Sequence, residues 1–275
     1  MYQLTEKEFK DLRDFIYEYA GINLTDQKRA LVVGRLQKVL SREGFSSFSQ
    51  YYDYVRADRT GKAVEELINR ISTNHTFFFR EQAHFDYLHT KVLPEMTERI
   101  ARAGKKDLRL WCAAAATGEE PYTLAMVLRE FLGSQYPQWQ AGMLATDIST
   151  QALATAQRAV YPDERMAHTP ASLRNKYFRR LGPDQWAVRD ELKRDVIYRR
   201  FNLMSTKWPF KGKFHIVFCR NVMIYFDQVT RSRLAKMFHE FMHPGGYFFI
   251  GHSETLGRDD CPFEYVMPAV YRKVS

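Results

Sequence analysis

Three stretches of this 275-residue chain set chemically capable side chains beside backbone that can approach a ligand. AAAATGEEP (113–121) follows an apolar strand and opens a helix. Small residues let the backbone come close, and a helix start offers free N–H groups. There is no GxGxxG, so this is not the dinucleotide fingerprint. Glu119 and Glu120 suit the helix macrodipole, and one of them is also placed to meet a cationic group on a ligand. Asp147 ends a second strand, where an acid in a nucleotide-binding α/β fold accepts hydrogen bonds from ribose hydroxyls. Its alternative duty, capping the next helix, falls to Ser149. CRNVMIYF (219–226) brings Arg220 and Asn221 to a third strand end and Tyr225 to the following loop. It reads either as a loop tied down by Asn hydrogen bonds or as an active-site wall. Asn202, at another strand end, is within reach of a nucleobase.

Metal and thiol chemistry find little support. His239-Glu240-Phe241-Met242-His243 satisfies HExxH, but Pro244-Gly245-Gly246 follows and no third ligand is evident, so it reads as a chance match and no metal is expected. Cys112, Cys219 and Cys261 are odd in number and far apart, which argues against a disulfide framework or zinc cluster.

The elements that must hold these groups follow from periodicity. Residues 1–71 read as a small all-α domain. Thr5 and Glu8 form a capping-box pair before Phe9, Leu12, Phe15, Ile16 and Tyr19, and Gly21 stops that helix. Thr25 starts a second helix that Gly44 ends, and two more follow around Tyr51 and Leu67. STNHTFFFR (72–80) breaks the pattern and serves as a linker, taken as 72–82. A helix is expected from about Glu81 to Arg102, kinked at Pro94. From 107 the rhythm becomes strand–helix–strand: strands at 108–114, 141–147, 195–202, 214–221 and 247–251, a helix from Asp227 closing at the Pro-Gly-Gly turn, and a terminal hairpin within 263–274. That alternation implies a parallel, doubly wound α/β sheet with ligands at the carboxyl ends of its strands. The basic stretch 160–194 fits poorly and reads as an insertion in a domain spanning 83–275.

A 45% hydrophobic and 27% charged composition excludes wholesale disorder. No apolar run approaches the ~20 residues of a membrane helix, and the N-terminus lacks a signal-peptide core, so a soluble cytoplasmic protein is expected. The net charge of +9 favours an acidic partner. Lys28, Arg29, Arg35, Lys38 and Arg42 form one basic run and Arg174, Lys176, Arg179 and Arg180 another, each as readily a solvated helix face as a docking surface.

STNHTFFFRE, AAAATGEEPYTLA, ATDIS, FNLM, FCRNVMIYFD and GHSE, in this order over essentially the whole chain, resemble the CheR family of chemotaxis receptor methyltransferases. The family usually reads STGEEPY where this chain has Ala116-Thr117-Gly118, which removes one hydroxyl near the cofactor. The resemblance implies a Rossmann-like S-adenosylmethionine domain with a small inserted β-subdomain, behind an all-α domain. It implies that Asn74, Thr76 and Arg80 approach the methionine portion of S-adenosylmethionine and the reaction centre. Glu120 then lies near the amino group, Asp147 holds the ribose, Asn202 and Leu203 flank the adenine, and Arg220 and Asn221 complete the pocket. Arg80 and Tyr225 are the catalytic candidates, with Tyr225 beside the transferred methyl. The product would be S-adenosylhomocysteine, and the acceptor a glutamate on the cytoplasmic helical region of a chemoreceptor. The basic helix 25–42 would dock on that acidic region. The loop between Phe178 and Val188 is shorter than in members that grip a receptor's C-terminal tether, so tether-independent action is expected.

Two alternatives stand beside this reading. A nucleic-acid methyltransferase suits the charge, but amino-methylating enzymes of that class carry a Pro-Pro-aromatic motif where this chain has Asn221-Val222-Met223-Ile224-Tyr225, so no nucleic-acid partner is expected. A non-catalytic S-adenosylmethionine-binding regulator would have no need of Arg80 and Tyr225.

Overall fold

Amphipathic periodicity builds the N-terminal helices. The computed structural model describes residues 2–257 and 261–274. α1 (Glu6–Ala20) starts with the Thr5/Glu8 capping box and ends at Gly21, whose φ of 71° only glycine adopts without strain. Thr25 opens a 3-10 turn, Asp26–Lys28, with no side-chain cap, so α2 (Arg29–Glu43) begins four residues later than the sequence suggests. α3 (Phe48–Ala57) is capped by Ser47, and α4 (Lys62–Ile71) completes the group. Phe9, Leu12, Leu36, Phe48, Tyr51 and Leu67 are buried at their centre.

The linker that follows is pinned by aromatics. Phe78 is wholly buried, edge-on to Tyr161 and Phe178 at 5.0 and 5.2 Å, while Phe77 lies 4.9 Å from the His168 ring. The long helix expected from Glu81 is instead α5 (Ala83–Tyr87), a π turn over Leu88–Val92, and α6 (Leu93–Arg102). Pro94 sits in the first turn of α6, directly after the π turn, so the helix changes its bonding pattern before the proline.

The remainder forms the alternating sheet. In chain order come β1 (Leu110–Ala113), α7 (Glu119–Leu132), β2 (Met143–Asp147), α8 (Thr150–Arg158), β3 (Val160–Pro162), α9 (Ala171–Tyr177), β4 (Phe178–Gly182), β5 (Gln185–Val188), α10 (Asp190–Lys193), β6 (Val196–Arg200), β7 (Phe214–Phe218), α11 (Gln228–Glu240), β8 (Met242–Phe249), β9 (Glu264–Met267) and β10 (Val270–Arg272). The main sheet has the order β6-β2-β1-β7-β8-β10-β9. β6, β2, β1, β7 and β8 run parallel, and β10 runs antiparallel between β8 and β9. β3, β5 and β4 make a separate three-stranded antiparallel sheet in the basic stretch. Pro244-Gly245-Gly246 does not close α11. It lies inside β8 as a bulge, where the register against β7 jumps between Phe214/Met242 and Ile216/Tyr247. No described helix is long and apolar enough to cross a membrane.

Each face of the sheet carries its own apolar layer. Trp111 anchors one, ringed by Trp208, Phe210, Phe214 and Phe238 with centroids at 4.7–5.3 Å, and its indole N–H donates to Thr146 Oγ1 at 2.9 Å. On the other face α7 packs so closely that Gly118, at φ 99°, leaves no room for a side chain: an added Cβ would fall 2.7 Å from both Ala156 Cβ and Tyr161 Oη. Gly118→Ala is therefore expected to cost at least ~2 kcal/mol through overpacking and backbone strain. Thermal denaturation should show a melting point lowered by several degrees, and an unchanged one would mean that this turn is not tightly packed.

Candidate active site

β6, β2, β1 and β7 end at one edge of the sheet, and the loops beyond them enclose a cavity. Its floor is Ala114–Ala116, where Ala114 and Ala116 hold left-handed φ values of 59° and 47°. Such backbone in non-glycine residues persists only where the surroundings enforce it. Here Ala116 N–H donates to Asp147 Oδ2 and Ser149 N–H to Asp147 Oδ1, both at 2.8 Å. Burial pushes the Asp147 carboxyl up, and these two N–H groups pull against that. The sequence left Asp147 between two duties, and it performs a backbone-tying one while still lining the cavity.

All ten residues marked in the sequence line this one cavity: Asn74, Thr76 and Arg80 from the linker, Glu120 from α7, Asp147 from β2, Asn202 and Leu203 after β6, and Arg220, Asn221 and Tyr225 after β7. Their surroundings differ from expectation in several cases. Asn202 spends its side chain locally: Nδ2 donates to the Tyr19 carbonyl at 2.7 Å, and Oδ1 accepts from Met204 N–H at 2.9 Å. Arg220 is a buried brace. Its guanidinium meets Glu120 at 2.6 Å and Glu81 at 2.9 Å, donates to the Arg80 carbonyl, and lies over the Phe85 ring. Arg80 donates to the His75 carbonyl at 2.8 Å and has no carboxylate partner among the described residues. Tyr225 is held through its carbonyl, which accepts from Asn23 N–H at 2.8 Å, and Lys28 Nζ stands 5.3 Å from its ring.

Sequence reasoning missed what four residues do to hold this arrangement, Arg35 having been read only as part of the basic run. Glu81, at φ 59°, accepts from Arg220, from Asn221 Nδ2 at 3.0 Å and from His252 N–H at 3.1 Å. Burial opposes its charge, but Arg220, Asn221 and His252 outweigh it and draw the carboxyl down to about 2. Glu254 is a buried clamp for the Tyr225 loop, accepting from Asn221 and Ile224 N–H at 2.9 and 3.2 Å. Arg35 of α2 donates to the Arg70 and Ser72 carbonyls at 3.2 and 2.9 Å and so ties the start of the linker to the helices. Arg165, from the inserted region, pairs with buried Glu119 at 2.9 Å, which leaves Glu120 alone to face the cavity. Glu81 and Glu254 were visible as the acids of FFFRE and GHSE, whereas nothing local marked Arg35 or Arg165.

The HExxH pairing is dissolved by the fold: His239 is on α11, and His243 is on β8, stacked 4.3 Å from His215. A different donor set, Glu81, His84 and His252, brings its ligating atoms within 4.8 Å. Its carboxylate already takes Arg220, and His84 is pushed down to about 3 by burial and by Arg220, so a second cation there would meet strong repulsion.

The cavity fits S-adenosylmethionine by the chemistry of its lining. Two carboxylates, Glu120 and Asp147, line it, the first also paired with Arg220 and the second also accepting from backbone N–H groups, and the alanine floor permits close approach. Comparison with known proteins agrees. The family described as "CheR methyltransferase, all-alpha domain" matches residues 7–72, and "CheR methyltransferase, SAM binding domain" matches 74–271. A chemotaxis protein methyltransferase of Borreliella burgdorferi is 42% identical over 98% of this chain and 95% of its own length. Those of Escherichia coli and Pseudomonas aeruginosa (methyltransferase 2) are 35% and 38% identical, over 98% and 93% of this chain and 91% and 89% of theirs. With both domains matched and near-complete coverage, the chain belongs to the CheR family and is an S-adenosylmethionine-dependent methyltransferase of chemotaxis.

Proposed function

We propose that the protein methylates glutamate side chains on the cytoplasmic helical region of chemoreceptors, acting in the cytoplasm and without a C-terminal receptor tether. The observation that carries this reading is Arg80, a cavity-lining guanidinium without a carboxylate partner among the described residues. S-adenosylmethionine, when bound, supplies an electrophilic methyl group. A glutamate carboxylate, with a reference pKa of ~4.3, is already ionised at neutral pH and needs no general base. What the protein must contribute is alignment. Arg80 offers the acceptor carboxylate paired N–H donors, and Tyr225 packs or donates beside the reacting methyl. Glu120 and Asp147 hold the ammonium and ribose ends, Asn74 and Thr76 form the linker wall, and Asn221 and Arg220 keep that wall in place. Leu203 and the backbone at Asn202 flank the base. Closure by the linker excludes water, which favours a step in which opposite charges are consumed.

On this reading residues 1–71 recognise the receptor, 72–82 link and complete the site, and 83–275 form the methyltransferase domain with its insertion at 160–194. The basic run on α2 is partly spent inside the molecule: Arg29 pairs with Glu6, Arg42 with Glu66, and Arg35 holds the linker. Lys28 and Lys38 are the cations of that run left for an acidic partner. Tether independence is supported by the hairpin between β4 and β5, where only Pro183 and Asp184 connect the strands.

Mass spectrometry of receptor-bearing membranes incubated with the methyl donor should find glutamate methyl esters. Esters absent there, with label appearing in nucleic acid, would reverse the assignment. Arg80→Ala should lower turnover about a hundredfold while S-adenosylhomocysteine affinity changes little. Near-normal turnover would remove Arg80 from the mechanism. Calorimetry with a receptor tail peptide should detect no tight association.

The Glu81 carboxyl is depressed in the folded state, so its stabilisation is complete above the unfolded value near 4.5 and is lost as pH falls from about 5 toward 2. Glu81→Gln should lower stability at pH 7 and flatten the acid limb of the stability curve, as read by urea denaturation across pH. An acid limb as steep as in the parent would show that other carboxylates govern it.

A further inference from the structure

At the edge of the sheet opposite the active-site cavity lies a second, more open concavity of about 800 Å3. It is built where β1, β7 and β8 begin and β10 ends, with the last turns of α6 forming one side. Its lining is rich in cations: Arg99, Lys105, Arg109, Lys213 and Arg272, against the acids Asp107 and Glu264. Asp107 neutralises Arg109 at 2.7 Å, and Glu95, on α6, neutralises Arg272. Arg99, Lys105 and Lys213 have no carboxylate partner among the described residues. Arg99 is half-buried, and its one side-chain hydrogen bond is to the Met96 sulfur at 3.3 Å. An unpaired, half-desolvated guanidinium is costly and calls for an anion.

Two glycines shape the concavity for these groups. A Cβ at Gly245 would collide with Arg99 Nη1, and a Cβ at Gly212 with Arg109 Nη1, so each guanidinium rests against bare backbone. Gly245 belongs to the Pro-Gly-Gly bulge of β8. The stacked His215 and His243 rings sit in the same wall. Both are held below the ordinary histidine range by burial first, then His215 by His243 and Arg99, and His243 by Lys213, Arg109 and Arg99.

We propose that this concavity binds a phosphorylated anion carrying at least two negative charges, such as an oligophosphate or a nucleoside polyphosphate, with Arg99, Lys105 and Lys213 as its cationic contacts. Several cations lining one concave space match a chain of phosphates better than a single carboxylate. The volume falls within the ~300–1,000 Å3 usual for small-ligand pockets, and a recess of that kind is poorly matched to a flat membrane. The site lies at the far edge of the sheet from Glu120 and Asp147, so it is independent of methyl-donor binding.

Isothermal calorimetry on the full chain at about 0.15 M salt tests this, with tripolyphosphate and ATP as separate probes. Saturable binding of either is expected, weakened about tenfold or more in Arg99→Gln/Lys213→Gln, with S-adenosylhomocysteine affinity unchanged in the same variant as the check on folding. Equal affinity for both probes would mark recognition of the phosphate chain alone, and tighter ATP binding would add the nucleoside; both outcomes support the site. No saturable binding, binding undiminished in the variant, or competition with S-adenosylhomocysteine would overturn it. So would sedimentation with phosphatidylglycerol vesicles that the variant abolishes while neither soluble phosphate binds.

Discussion

A guanidinium buried inside a protein must have its charge and its N–H donors met by acceptors, and Arg220 imposes that demand at the centre of this molecule. Its side chain is fully enclosed between Glu81 and Glu120, with Phe85 beneath it. The three partners come from the linker, from the helix after the first strand and from the short helix after the linker, so one ion cluster fixes the approach of all three to the end of β7. Removing either carboxylate would leave buried guanidinium N–H groups without an acceptor, a change costlier than loss of a surface ion pair. The left-handed backbone at Glu81 is the local strain accepted to bring its carboxylate to Arg220. Asn221 then shares Glu81, and Glu254 holds Asn221 and the Tyr225 loop, so the cavity wall is braced as a unit.

The helical N-terminal unit closes the cavity through bonds that cross the seam. Tyr17 donates to Asp227, Asn202 to the Tyr19 carbonyl, and Ser149 to Asn69, each at 2.7 Å. Ala20 and Ile22 supply part of the lining itself. Arg35 connects α2 to the linker that carries Asn74 and Thr76, so the helix bearing the basic run also positions the site. Charge that reads as surface in the sequence is here divided between holding the fold and facing outward.

Errors of element boundary share a cause. A strand buried on both faces is an apolar run, which is why β1, β2 and β7 were legible, but an apolar run does not announce its bulges or turns. Pro-Gly-Gly is a strong turn signal, yet here it is accommodated inside β8 because the strand pairs on either side of it. The π turn after Tyr87 has no sequence signature beyond Pro94 downstream.

The sequence by itself determined the fold class, the helical unit and the strand-end residues of the cavity, because hydrophobic period and strand-end position are local; Asn74, Thr76, Arg80 and Leu203 were legible only through the resemblance to the CheR family. What each of those residues does was decided only in three dimensions. Asn202 is committed to Tyr19, 183 positions away, and Arg220 to Glu81, 139 away. Hydrogen-bond and ion partners depend on which distant segments the packed core brings together, and a side chain's free valence for a ligand is whatever that packing leaves unspent.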